Sequence, residues 1–115
     1  MSKDDFAVIA YKMLSYLYEC LKAGVPASLD KAQELCGVNP MYFHAVLSDM
    51  ERKNLLILNA FRNSGGDYAL VNEFRITIDG AEFLSENDSM KKIASAIGEA
   101  FSNTLKTALA AASLL

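Results

Sequence analysis

The sequence of 115 residues has no Trp, one His, two Cys and two Pro. Because a His-based metal site needs at least two imidazoles, a single His44 makes such a site unexpected. Cys20 and Cys36 lie too far apart for the CxxC spacing of redox and zinc motifs. Both fall at apolar positions of predicted helices, which favours reduced core thiols over a disulfide or a redox pair.

The sequence also lacks an excess of basic residues and any long hydrophobic run. Its 11 Lys and Arg residues are outnumbered by 14 Asp and Glu residues, so the formal net charge is −3. An acidic chain is not typical of a strong nucleic-acid footprint, although a local basic patch remains open. No apolar run approaches the ~18 residues of a membrane span, and the first residues are polar and acidic. We therefore expect one cytoplasmic domain over residues 1–115, with no membrane contact.

What the sequence does contain is a regular order of apolar stripes and helix breakers. A first helix is expected from Ser2 or Asp4 to Ala23, and a second over 30–36 that Ser28 or Asp30 caps. After a Gly-Val-Asn-Pro turn, Asn39 is expected to cap a third helix that ends near Lys53. An apolar strand over 55–61, a glycine turn and a return strand over 68–78 then predict a hairpin.

The region after the hairpin completes the predicted fold. Thr77 is positioned to cap a short helix over 79–86, and a long helix follows from Met90. The prediction is a mainly α protein with a small antiparallel β wing, which is a winged helix-turn-helix with an N-terminal helix and a long C-terminal helix. The helix-turn-helix covers about 29–53, the wing about 55–78 and the C-terminal helices about 79–112.

One stretch of the sequence, from the end of the return strand to the start of the long helix, has a distinctive set of residues. These are Ile76-Thr77, Gly80, Glu82-Phe83-Leu84, Glu86-Asn87 and Met90-Lys91-Lys92. In these residues the sequence resembles the YjcQ-type winged-helix family of Gram-positive bacteria and their phages. The resemblance implies a fold rather than an activity, because the family has no established reaction. Its genomic settings imply a regulatory or phage-related role.

A winged helix reads DNA with the outward face of its third helix. Here Phe43, Val46, Leu47 and Met50 form the predicted buried face, so the opposite face and its flanks, together with the helix cap and the wing, hold the candidate DNA contacts. These candidates are Asn39, Met41, Tyr42, His44, Ser48, Arg52, Lys53 and Arg62.

The cation count limits that DNA-binding interpretation. Five cations are near these elements: Lys31, Arg52, Lys53, Arg62 and Arg75. A specific site typically uses on the order of 6–10 phosphate contacts, so double-stranded DNA is expected to be a ligand of a dimer rather than of a monomer.

The apolar surfaces of the first and last helices exceed what one buried face needs. They are expected to meet each other within the chain or to meet another subunit, as a homodimer or with a protein partner. The candidate interface residues are Tyr11, Leu14, Tyr18, Ile97, Phe101, Leu105 and Leu109.

Two functions are therefore predicted as alternatives. The first is a winged-helix DNA-binding protein that regulates transcription in a bacterium or phage. The second is a non-enzymatic protein-interaction module that uses the same scaffold without DNA. No enzyme motif, metal site or cofactor site is expected, since Gly65-Gly66 lack the context and the Lys of a phosphate loop.

Overall fold

The computed structural model describes residues 2–65 and 68–113. Within these residues the chain forms five helices and a two-stranded antiparallel sheet, which confirms the predicted fold class. The elements are α1 (Phe6–Ala23), α2 (Leu29–Cys36), α3 (Pro40–Arg52), β1 (Leu56–Arg62), β2 (Tyr68–Ile76), α4 (Ile78–Glu86) and α5 (Asp88–Ser113).

The first helix begins later than predicted, because its expected caps form a turn instead. The Ser2 amide donates to Oδ2 of Asp5 (3.0 Å), and the Asp4 amide donates to Oγ of Ser2 (3.4 Å). Asp5 becomes the residue before the helix and makes no side-chain cap bond. The predicted end is correct, since Gly24 adopts φ 72°, a left-handed conformation that glycine adopts without strain.

The caps of the helix-turn-helix follow the predicted chemistry. Oγ of Ser28 accepts from the Lys31 amide (3.2 Å), so Ser28 rather than Asp30 caps α2. Oδ1 of Asn39 accepts from the Tyr42 amide (2.9 Å), and Pro40 occupies the first helical position. Each cap satisfies an amide that would otherwise lack a partner and is worth about 1 kcal/mol.

The wing pairs Leu56 with Ile76 at its base and Phe61 with Leu70 further out. The register shifts between Asn59 and Ala60 and again between Phe61 and Arg62, so the hairpin is irregular at two places. Such bulges increase the local twist of a hairpin.

The predicted end of β2 was wrong by two residues. We expected alternation to continue to Ile78, but β2 ends at Ile76 and Thr77 caps α4. Ile78 is consequently the first residue of α4, with 79% of its surface exposed. The strand ends here because Thr77 caps α4, although the alternation of apolar residues continues to Ile78.

The core surrounds α1, which packs against α2, α3, α4, α5 and β2. Fully buried side chains come from all these regions, and each is worth roughly 1.5–3 kcal/mol relative to exposure. The largest of them are Phe43, Ile9, Met13, Leu14, Leu17, Leu47, Leu56, Ile76, Met90, Ile93 and Val46.

The surplus apolar faces of α1 and α5 meet each other within the chain. Four of the seven candidate interface residues are buried: Tyr11, Leu14, Phe101 and Leu105. The Tyr11 and Phe101 rings lie 6.2 Å apart. The other three candidates, Tyr18, Ile97 and Leu109, are partly buried against the core. This corrects the interface prediction for the four buried residues, because their apolar surface is already covered by their own chain.

No helix among the described residues is both long and apolar enough to cross a membrane.

Candidate nucleic-acid interface

The outward face of α3 is uncovered by the rest of the described chain. Phe43, Val46, Leu47 and Met50 are at most 4% exposed, as predicted. The opposite side presents Met41, which is 84% exposed, and the exposed Ala45, Ser48 and Arg52. His44 is also exposed, and its ring meets the Phe43 ring edge-on at 5.4 Å. One long apolar side chain and two small ones therefore occupy most of this face.

Two of the predicted DNA contacts have structural partners within the chain. The Tyr42 hydroxyl donates to the Asp4 carbonyl oxygen, and the Tyr42 ring lies 6.1 Å from the Phe6 ring. Tyr42 is therefore half-buried and joins the first turn of α3 to the start of α1. Oδ1 of Asn39 is occupied by the cap of α3. Each side chain therefore has a structural role in the protein's own framework, and its contact with DNA stays a prediction.

The cations near α3 and the wing are mostly balanced by neighbouring acids. Arg52 pairs with Asp49 on α3, and Lys31 pairs with Glu34 on α2 at 3.2 Å. In the wing, Nε of Arg75 lies 2.7 Å from Oε2 of Glu73. Exposed pairs of this kind are worth only about 0–1 kcal/mol, so a phosphate group can replace the carboxylate at small cost. The local field nevertheless stays weak, since the acids remain nearby.

Two further candidate cations lie at the edges of the interface. Lys53 is the exposed C-cap residue of α3, and Arg62 is the exposed last residue of β1. Together with Arg52 they form the basic residues of the candidate interface, which number three per chain.

The wing exposes an apolar pair that the sequence interpretation did not include. Phe61 and Leu70 are direct partners across the antiparallel hairpin and are 63% and 56% exposed. On the same face, closer to the base, Asn59 pairs with Glu73. The alternation along β1 could have predicted this exposure, because Leu56 and Leu58 point inward and Phe61 therefore lies on the outer face.

A closely packed junction holds the start of α4 against the backbone of Asn54 and Leu55, which connects α3 to the wing. Thr77 Oγ1 accepts from the Gly80 amide (2.9 Å) and donates to the Asn54 carbonyl oxygen (2.6 Å). The Thr77 amide donates to the Leu55 carbonyl oxygen (3.1 Å). Gly80 packs so closely on this strand start that an added Cβ would lie 1.9 Å from that same Leu55 oxygen. The Thr-x-x-Gly spacing is thus a structural requirement of the junction.

The residues of this junction lie inside the segment that matches a known protein family. The sequence matches the family described as YjcQ protein over residues 11–100. The chain belongs to the YjcQ protein family. The YjcQ match includes α3, the wing and the Thr77–Gly80 junction, so it confirms the family resemblance. No curated protein and no solved structure was found to match the chain.

The cysteines of this YjcQ chain have the environment of core thiols. Cys36 is 2% exposed, its Sγ lies 3.9 Å from the Ile9 carbonyl oxygen, and burial raises the pKa of its thiol to about 12. Burial also raises the pKa of the Cys20 thiol. A neutral buried thiol is a poor nucleophile and a poor metal ligand. Both cysteines are unbridged, as predicted.

The buried hydroxyl group of Tyr16 on α1 has a hydrogen-bond partner at the start of α2. The Tyr16 hydroxyl oxygen accepts from the Ser28 amide (2.9 Å), and burial raises the pKa of Tyr16 to about 12. Tyr16 therefore anchors the start of α2 to α1. Across the described residues, no group of three or more His, Cys, Asp or Glu side chains is arranged to hold a metal ion.

Proposed function

We propose that this member of the YjcQ family is a winged-helix DNA-binding protein that acts as a cytoplasmic regulator of bacterial or phage genes. The observation that carries the proposal is the uncovered outward face of α3, with Met41 84% exposed and Ser48 and Arg52 beside it. In a winged helix this face is the one that enters the major groove.

The chemistry of the face supports a specific role for each side chain. Arg52 can give up its exposed pair with Asp49 to contact a phosphate or a guanine. Ser48 and His44 supply hydrogen-bonding groups, and Met41 offers an apolar contact to a thymine methyl group. Lys53 and Arg62 are phosphate contacts at the two edges.

The small number of cations predicts a weak and strongly salt-dependent interaction. With three phosphate contacts per chain, the slope of log K against log salt concentration is about −3 for a monomer and between about −5 and −6 for a dimer. A dimer with three contacts per chain reaches about six, the low end of the 6–10 contacts of a typical specific site, and about ten if Lys31 and Arg75 also contribute. We therefore propose that the DNA-bound form is a homodimer.

The first test compares Arg52→Glu with wild type in a fluorescence anisotropy titration of a labelled duplex at low salt. We expect at least about tenfold weaker binding, because the change removes one phosphate contact and adds a repulsive charge. Lys22→Glu is the matched control. Lys22 also forms an exposed pair three residues along its helix, with Glu19, but lies on the last turn of α1. Equal effects of the two variants would contradict the assignment of α3.

A second function, a protein-interaction module without catalytic activity, is favoured by the exposed Phe61–Leu70 pair. An apolar pair on an outer wing face is typical of a protein contact rather than of a phosphate contact. The test replaces Phe61 with a photo-crosslinking amino acid in a host that carries the gene. One crosslinked protein that disappears when Leu70→Asp is added would support this function, and crosslinking that is indifferent to Leu70→Asp would oppose it.

A further inference from the structure

A groove between the start of α1 and the middle of α5 is not used by the proposed function. Its volume is about 370 Å³, and its floor consists of Val8, Ile97 and Phe101. The α5 side adds the small side chains of Ala96 and Ala100, both exposed, which leave the groove open. This volume lies within the range of about 300–1,000 Å³ of small-molecule sites, which are mostly apolar with a few converging polar groups.

The charged groups that line this groove are both cationic, and the uncharged polar residues Ser2 and Thr104 line it as well. Lys3 and Lys12 both line it, and no Asp or Glu is among its described lining residues. Four other cations of the described chain, Lys22, Lys31, Arg52 and Arg75, each have a carboxylate within 4.0 Å.

Lys12, by contrast, has no such carboxylate among the described residues. Its ammonium nitrogen lies 5.9 Å from the centroid of the Phe101 ring. A half-buried ammonium group over an apolar floor attracts an anion more strongly than a fully solvated one does.

We propose that this groove binds an apolar monocarboxylate, with the carboxylate at Lys12 and Lys3 and the hydrocarbon body on Val8, Ile97 and Phe101. A single negative charge suits two lysines beside a surface that is otherwise mostly apolar, whereas a polyphosphate would need many more donors. The groove extends over one turn of α1, from Val8 to Lys12, and about two turns of α5, from Ala96 to Thr104. This length suits a small ligand better than a helix of several turns.

The position of the groove gives the ligand a direct connection to α3. Lys3 lies in the turn that Ser2 and Asp5 close, and the next carbonyl, that of Asp4, accepts the hydroxyl of Tyr42. A carboxylate that fixes the position of Lys3 therefore also fixes the neighbouring Asp4 carbonyl group, which binds Tyr42 in the first turn of α3. Binding itself does not depend on DNA and is measured without it.

The test is a titration of the ¹⁵N-labelled full chain with octanoate, followed by two-dimensional NMR. Octylammonium, which has the same chain length and the opposite charge, is the matched probe. We expect octanoate to shift the amide signals of residues 2–12 and 96–104 and that of Tyr42, with octylammonium at least about tenfold weaker.

Two outcomes of that titration would overturn the proposal. One is equal affinity for octanoate and octylammonium, which would mean that only the apolar surface binds. The other is a set of octanoate shifts centred on the separate groove that Tyr18, Leu21 and Ile78 line.

Variants test the two halves of the site separately. Lys12→Met keeps the hydrocarbon stem and removes the charge, so octanoate should bind about tenfold more weakly, while Lys22→Met should bind as wild type does. Ala100→Leu fills the groove from an exposed helix position and should abolish binding, whereas Ala110→Leu, exposed elsewhere on α5, should not. Wild-type affinity in Lys12→Met or in Ala100→Leu would overturn the proposal.

Discussion

Replacing Gly80 with alanine should destabilise the protein even though alanine is the better helix former. Gly80 is the third residue of α4, where the Gly-to-Ala change by itself would gain about 1 kcal/mol of helix propensity. The added Cβ, however, would lie 1.9 Å from the Leu55 carbonyl oxygen and 2.7 Å from Cγ1 of Ile76. A normal contact needs well over 3 Å, so α4 must move away from the start of β1.

The size of the loss follows from what that movement breaks. Overpacking of this kind costs roughly 1–3 kcal/mol, and the displacement also weakens the two hydrogen bonds from Thr77 to the Asn54 and Leu55 carbonyl oxygens. Each of those bonds is worth about 1 kcal/mol. After the gain in propensity is subtracted, we expect Gly80→Ala to lower the free energy of unfolding by about 2–4 kcal/mol.

The assay is urea denaturation followed by far-ultraviolet circular dichroism, since the sequence has no Trp to report by fluorescence. Gly98→Ala on α5 is the control, because its Cβ would lie 3.2 Å from the Tyr11 hydroxyl oxygen, the far end of a side chain that can shift slightly. We expect that control to change stability by less than about 1 kcal/mol. A Gly80→Ala variant as stable as Gly98→Ala would refute the reasoning about the junction.

Three further predictions concern single side chains. Thr77→Ala removes the cap of α4 and the bond to the Asn54 carbonyl oxygen, so the free energy of unfolding should fall by about 1–2 kcal/mol in the same assay; an unchanged midpoint would contradict that role. Since burial raises the pKa of Cys36 to about 12, the folded thiol keeps its proton while the unfolded thiol loses it above pH ~9. Stability should therefore decline as pH rises from about 9 to 12, more steeply in wild type than in Cys36→Ala, and parallel pH profiles would refute this. Tyr42→Phe should cost about 0.5–1.5 kcal/mol and speed amide exchange of residues 2–5, because the bond to Asp4 is lost; unaltered exchange would count against it.

The features that could be predicted from the sequence were those with local causes. Asn39 and Thr77 cap helices through bonds to amides three residues away, so the residue type and its position were sufficient evidence. The buried face of α3 followed from helical periodicity for the same reason. The prediction that Ser2 or Asp4 caps α1 was wrong, because Ser2 forms a turn with Asp4 and Asp5 instead. That turn also depends on local hydrogen bonds between side chains and amides.

The features that could not be predicted depend on distant partners. Tyr42 reads as a surface residue of α3, but its hydroxyl is bound by a carbonyl 38 residues earlier in the chain. The exposure of Leu70 depends on a register that the irregularity between Asn59 and Ala60 resets. The pairing of Arg52 with Asp49, by contrast, follows from a three-residue helical spacing that the sequence already shows.

The DNA-binding proposal is tested most directly by the anisotropy of a labelled random duplex, titrated with the wild-type chain at low salt and again at rising salt. The account predicts micromolar affinity at low salt and a linear decline on a log–log plot, with a slope of about −3 or, for a dimer, between about −5 and −6. Absence of binding at the lowest salt would contradict it and would leave the Phe61–Leu70 face of the wing as the leading functional surface.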